Sequence, residues 1–536
     1  MQLIITNSQF LLLALLLLLF IVLIAVFLTK PLLRYVINRI TDDATSKLLS
    51  DVYDQNLAEL LPSLKRFSVL NLLELSLRAE SGKIIARPLG SPKHYLGYDN
   101  LMFSPRQMTQ LSLPENAEID MSVTLGPQAA KPLVIKIPLM IAGMAYGLAM
   151  SEESKIALAR ASRTVQTATN SGEGPFLPEE PGEAGKFILQ IGCWSWGERT
   201  NEQIASSDML EVKMGQGGDV GTSHIGPTEI EGRARILGGL APDEPAISFP
   251  APPGVLTTDD WPAFMKKLRQ RANGIPIALK IMATDRLEEE LALAIDLGFD
   301  AIVIDGCEGA THAAPPLKHD DFGIPNLYAL VRAKRYLKNS QMSLIMGGGY
   351  FTPGQCLKAL ALGADALYLG TVPLFALTHN QVTKVIPWEP PTTLVYYNSP
   401  TKTQLDIDQA ATSVANVLTS MVLEMEEAMR ALGKSSLKEL SPDDLVALDS
   451  ITAEITGVKK AFGVSPSTSP ENAEQKQCLE SLEQFNLLLL YSRRLVKLME
   501  TVLMELCFSN DLSRIRQLAT EFDTLIKQKD KWVKTP

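Results

Sequence analysis

Residues 277–306 read IALKIMATDRLEEELALAIDLGFDAIVIDG. Ile277–Met282 and Ala301–Ile304 are short, continuously apolar runs, and Leu287–Leu297 between them carries apolar residues at helical spacing. Apolar runs without a polar alternation are strands covered on both faces, and strands alternating with helices make a parallel sheet. The same alternation extends outward from about Lys131 to Thr371. The other candidate strands are Leu133–Ala142, Val165–Thr169, Phe187–Ile191, Met209–Met214, Ser343–Met346 and Ala366–Leu369, with helical stretches such as Ser151–Thr164 and Gly354–Leu362. Eight such units in about 240 residues predict an α/β chain with a (β/α)8 TIM barrel. A doubly wound open sheet is the competing arrangement.

The N-terminal side differs in kind. Phe10–Leu28 is uncharged and almost wholly Leu, Ile, Val, Ala and Phe. At 1.5 Å per residue, a run of roughly 19 residues spans most of a ~30 Å hydrocarbon layer. Lys30, Arg34 and Arg39 follow it and no Lys or Arg precedes it, so a single-pass membrane anchor with the rest of the chain on the cytoplasmic side is expected. A buried core helix is the alternative reading. The expected organisation is an anchor over 1–30, a helical and irregular lead-in over 31–130, the barrel over 131–400, helices packed on it over 401–464 and a C-terminal helical module over 465–536. Gly215–Asp260 is a long Gly/Pro-rich connection, a length usually tied to function. The last module, after the linker Ser465–Pro470, reads as a packing or self-association unit, which allows a homo-oligomer.

The 536-residue chain carries a net charge of −10 with a pI near 5.3, which argues against nucleic acid as a partner. Its five cysteines show no metal-ligand spacing, so no metal site is expected and free thiols are. No G-x-G-x-x-G joins a strand to a helix, so no Rossmann NAD(P)H site is expected.

Active-site groups of such barrels gather at the C-terminal ends of the strands. There the sequence places Ala142–Gly147, Asn170–Gly174, Lys213–Gly218, Lys280, Asp305–Gly309, Gly347–Gly349 and Gly370-Thr371. Glycines after strands seven and eight bring backbone N–H groups close to a phosphate. Lys280, among apolar neighbours, needs an anionic partner: either a reduced flavin N1/C2 carbonyl or a barrel carboxylate. Glu173 and Lys213 are further candidates, with exposed loop residues as the alternative.

In their order, these segments resemble the FMN-binding synthase domain of glutamate synthase, over roughly residues 85–460. Ala428–Gly433 and Leu437–Leu440 resemble the segment after that family's barrel. The resemblance implies FMN at the barrel mouth, with ring contacts at Gly143, Met144, Ala145, Gln190 and Lys280. It implies the phosphate on Gly347, Gly348, Gly349, Gly370 and Thr371. It assigns catalytic and substrate positions to Lys280, Glu173, Lys213 and Gln216. The family reaction reduces 2-iminoglutarate, formed from 2-oxoglutarate and ammonia, by hydride from reduced FMN. Three departures stand out: Asp219 where the family has lysine, Thr222 where it has glutamate, and Ser195 where it has arginine. Leu377–Lys384 lacks the family's cysteines, so no iron–sulfur cluster is expected. No amidotransferase domain is encoded, and the electron donor or acceptor is unassigned. The expected activity is a glutamate synthase-type FMN oxidoreductase on a small keto or amino acid. The alternatives are a membrane-linked flavin dehydrogenase oxidising an amino or hydroxy acid, and a degenerate barrel acting as an interaction module.

Overall fold

The computed structural model describes residues 7–52, 60–309, 311, 314–462 and 520. The chain divides into Met1–Ala461 and Phe462–Pro536, and the expected C-terminal module lies, Thr520 apart, outside the described residues.

Eight parallel strands close a barrel: β1 (Leu139–Ile141), β2 (Ala168–Asn170), β3 (Lys186–Ile191), β4 (Met209–Lys213), β5 (Ile277–Met282), β6 (Ala301–Asp305), β7 (Ser343–Gly347) and β8 (Ala366–Leu369). Closure comes where β8 meets β1, with Leu367 opposite Leu139 and Leu369 opposite Ile141. Side chains alternate across each strand, so every strand except β2, whose alternate residue is Thr169, feeds two cores. Met140, Ile188, Met209, Val303 and Ile345 fill the barrel interior. Leu189, Leu210, Ile302 and Leu344 point outward into the layer beneath the helices.

The first candidate strand is two elements, not one. Pro138 interrupts it: Leu133–Ile135 turns back to pair antiparallel with Val123–Leu125, and only Leu139–Ile141 joins the barrel. Proline has no N–H for the ladder, so the run breaks there. The displaced hairpin has its own use. Leu125, Leu133 and Ile135 join the interior core, and Gly126 N donates to Ser343 Oγ at the start of β7, so the N-terminal end of the barrel is closed. The second strand begins later than expected, after Gln166 takes a left-handed conformation (φ 55°).

Residues 405–462 are only partly helical. The long helix Ile407–Ala431 buries Val414, Leu418, Met421, Met425 and Met429 at helical spacing and packs on Glu152–Thr164. Beyond it, Leu445–Ala447 pairs antiparallel with Leu101–Phe103, stapling the lead-in to the segment after the barrel. Ser441-Pro442 and the short apolar run after it suit a strand better than a helix.

At the N-terminal side, α1 (Asn7–Ser50) runs as one helix through Pro31, and α2 (Leu60–Ser81) follows with a kink at Ser68. Among the described residues no helix is long and apolar enough to cross a membrane. Most side chains of the Phe10–Leu28 run lie outside the described set.

Candidate functional site

The ends of the strands opposite the hairpin open into a cavity of about 880 Å³, within the range of small-molecule sites. It collects Gly143, Met144 and Ala145 after β1, Glu173 after β2, Gln190 on β3, Lys213, Gln216 and Asp219 at β4, Lys280 on β5, Gly348 and Gly349 after β7, and Gly370 and Thr371 after β8. Of the candidate residues, only Gly347 is absent from its wall.

Gly347 has a different role. It ends β7 opposite Asp305, and a Cβ built there would land on Asp305 Oδ1. Its missing side chain makes room for the carboxylate that pairs with Lys280 Nζ at 3.2 Å. The buried Lys280 ammonium also sits 5.5 Å from the Tyr368 ring centroid, in cation–π range. Of the two partners open to Lys280, the protein supplies the barrel carboxylate, and Lys280 still lines the cavity.

Gly348 and Gly349 carry positive φ (95° and 81°), a conformation that favours glycine. Their turn is held from outside by Asn326, whose Nδ2 donates to Gly347 O at 2.5 Å and Gly348 O at 3.1 Å. Asn326 Oδ1 in turn accepts from Tyr98 (2.5 Å) and Tyr350 (2.7 Å). Tyr98 belongs to the lead-in, so that segment braces the glycine turn. Burial pushes the Tyr98 phenol well above its ordinary value, so it remains a donor. Glu308 spends both carboxylate oxygens on Asn326 N, at the start of helix Asn326–Tyr336, and burial raises its pKa.

Beneath the cavity lies a polar layer that the sequence reading missed. Glu211 is fully buried and accepts from Asn170 Nδ2 (3.0 Å), Gln190 Nε2 (2.6 Å) and the Tyr368 hydroxyl (2.8 Å). Three donors satisfy the carboxylate, as a buried charge requires. The one available signal was a glutamate inside an otherwise strand-like run, Met209–Lys213.

The second charged cluster sits at β4. Lys213 Nζ lies 2.6 Å from Glu173 Oε1 and 2.7 Å from Asp219 Oδ2. Burial opposes the Lys213 charge, but Asp219 and Glu173 outweigh it and hold the ammonium well above its ordinary value. Likewise burial works against Asp219, and Lys213 outweighs it, so that its carboxylate titrates below the usual range. The loop after β3 does contain an arginine besides Ser195, but Arg199 donates to Gln190 O (3.0 Å) and Gly174 O (2.9 Å) and is not on the cavity wall. Cys193 is held protonated, its thiol pushed up to about 11 by burial. Cys193, Cys307 and Cys356 are free, and among the described residues no group of three His, Cys, Asp or Glu could hold a metal.

The strap Ile84–Leu89 crosses the rim. Arg87 ties it by ion pairs to Glu74 on α2 (2.6 Å) and to Asp320 (2.7 Å).

A "Glutamate synthase large subunit-like protein" of Rhizobium meliloti (strain 1021) is 29% identical over 433 residues, covering 74% of this chain and 94% of its own. An "Archaeal-type glutamate synthase [NADPH]" of Thermotoga sp. (strain RQ2) is 27% identical over 398 residues, covering 69% and 78%. Among solved structures, an active chimera of (S)-mandelate dehydrogenase overlaps 65% of this chain and 88% of its own at 15% identity and a TM-score of 0.42. Residues 91–435, well over half of the chain, match the conserved region in glutamate synthase, and the chain belongs to that family.

Proposed function

We propose that this protein is an FMN-dependent oxidoreductase of the glutamate synthase type. On this reading it interconverts a small amino acid with its keto or imino acid. Phe10–Leu28 anchors it in a membrane with the barrel on the cytoplasmic side. The observation that carries the proposal is a single cavity, at one end of the barrel, uniting the glycine turns of β7 and β8 with Lys280 and the Gly143–Ala145 backbone.

The residues present suit FMN. A Cβ added at Gly370 would meet nothing nearer than Ala142 Cβ at 3.9 Å, so a side chain there would take cavity space. Gly348, Gly349, Gly370 and Thr371 offer backbone donors of the kind that cradle a phosphate. Lys280 would meet the N1/C2 edge of the ring, where negative charge accumulates on reduction. When bound, FMN supplies hydride-transfer chemistry. The protein's own groups orient and protonate. Asp305 and the Tyr368 ring keep Lys280 in place. Lys213 stays protonated at neutral pH, so it donates hydrogen bonds and does not act as a base, while Glu173 beside it offers an acceptor.

The oxidising direction, with electrons passed to a membrane carrier, is the second reading. The excess of carboxylates over lysines on the wall suits an amine, the substrate of that direction and the product of the other. The test is purification of the full chain in detergent. Yellow protein, bleached by an amino acid or reoxidised by 2-oxoglutarate with ammonia, supports an enzyme and gives its direction. Colourless protein that takes up no FMN would leave a non-catalytic interaction module.

A further inference from the structure

Among the described residues, the cavity wall carries five carboxylates (Glu173, Asp219, Glu229, Asp305 and Glu308) against the three lysines Lys213, Lys280 and Lys318. Each lysine is already engaged. Lys213 lies between Glu173 and Asp219, Lys280 faces Asp305, and Lys318 Nζ donates to Val220 O at 2.7 Å. The Lys213 cluster therefore presents one net negative charge from two carboxylates and one ammonium.

Asp219 cannot easily leave this arrangement. It sits on a two-residue hairpin, with Gly215-Gln216 paired to Asp219-Val220 across Gly217-Gly218. A Cβ at Gly217 would collide with Gly306 O, and one at Gly218 would come within 2.5 Å of His319 Nδ1. The hairpin is thus wedged against the loop after β6 and against the fully buried His319, and Lys318 pins its far strand. Packing fixes the carboxylate in place, so its charge is a built property of the cavity.

We propose that this end of the cavity selects a ligand with a cationic amino group and at most one carboxylate, and that Asp219 determines this by occupying the Lys213 ammonium. The inference rests on the reading of the cavity as a substrate site. A dicarboxylate entering here meets no uncommitted lysine on the described wall and adds a like charge beside Glu173 and Asp219, a juxtaposition that disfavours the wrong partner strongly. An ammonium entering here finds the two carboxylates at a distance where opposite charges attract.

Two probes of matched length isolate the charge: glutarate, with a carboxylate at each end, and 5-aminopentanoate, in which a cationic aminomethyl group takes the place of one carboxylate. Calorimetric titration of the full chain reads their affinities whether or not FMN is bound, so loss of flavin binding, which would defeat the proposed function, is scored separately. The wild-type chain is expected to bind 5-aminopentanoate at least about tenfold more tightly than glutarate. Asp219→Asn, which removes one of the two negative charges beside Lys213 while keeping the side chain's shape, is expected to reduce that ratio at least about tenfold. Asp219→Glu, which keeps the charge, is expected to preserve the wild-type order. Glutarate binding as tightly as the amine, no detectable binding of either probe to wild type, or a ratio unmoved in Asp219→Asn would each overturn the proposal.

Discussion

Replacing Gly347 with alanine tests the charge pair at the centre of the site with one methyl group. Gly347 and Asp305 are register partners on β7 and β6. The added Cβ would fall on Asp305 Oδ1 and lie 3.0 Å from its Cγ and 3.7 Å from Tyr368 Cβ. The carboxylate must therefore rotate away from Lys280, whose side chain is only 2% exposed. Breaking a buried pair costs about 3–5 kcal/mol because the remaining charge is stranded. Overpacking alone costs about 1–3 kcal/mol. The Asp305 side chain is 11% exposed and can turn partly toward the cavity, so the lower end, about 3 kcal/mol, is the expected loss. Urea unfolding followed by tryptophan fluorescence should show a lower midpoint with an unchanged slope. The double variant with Asp305→Ala removes the atoms the methyl strikes, so it should be no less stable than Asp305→Ala alone. A Gly347→Ala protein within about 1 kcal/mol of wild type, or a double variant that loses the sum of both singles, would refute the reasoning.

Three further outcomes are expected. Lys280→Met should lower FMN content or make the flavin harder to reduce, read by absorbance and by redox titration. Unchanged content and potential would remove Lys280 from the cofactor site. Asn326→Ala removes the bonds to Gly347 O and Gly348 O together with those accepted from Tyr98 and Tyr350, and should weaken FMN phosphate binding, with about 1 kcal/mol of stability lost per bond, measured by flavin retention and urea unfolding. Asp219 has a folded-state pKa depressed by Lys213, so its stabilisation is present above the unfolded value of about 3.9 and is lost as pH falls through the lower folded value. Asp219→Asn should therefore flatten the acid limb of stability below about pH 4, and a limb identical to wild type would contradict the pairing.

Strands β5 to β8 could be read from sequence because each is a short apolar run separated from the next by an amphipathic helix, and the runs of β6, β7 and β8 are closed by Asp305, Gly347 and Gly370. β1 was drawn too long for a local reason: Ile137-Pro138 divides a run whose hydrophobicity is continuous, and hydrophobicity alone does not say which half joins the barrel. Gly348, Gly349, Gly370, Lys280, Lys213, Glu173 and Gln216 were all legible as residues at the cavity end. Gly347 was read together with its two neighbours because an unbroken glycine triplet does not reveal which member serves a ligand and which makes room for a side chain. Glu211 went unnoticed because its partners Asn170, Gln190 and Tyr368 come from three other strands. Tyr98 was hidden in the same way, since its link to Asn326 spans 228 positions.

The order of apolar runs, amphipathic helices and glycine turns was enough to specify eight strand–helix units and the end at which chemistry collects, because periodicity and turn geometry are short-range properties. Which charges neutralise one another was settled by barrel closure. Lys213 meets Glu173 from 40 positions away, and Asp219 reaches the same ammonium from only six positions on because two glycines fold its hairpin back. Electrostatic energy depends on distance through space and on solvent exclusion, and both come into being only when the strands close around the cavity.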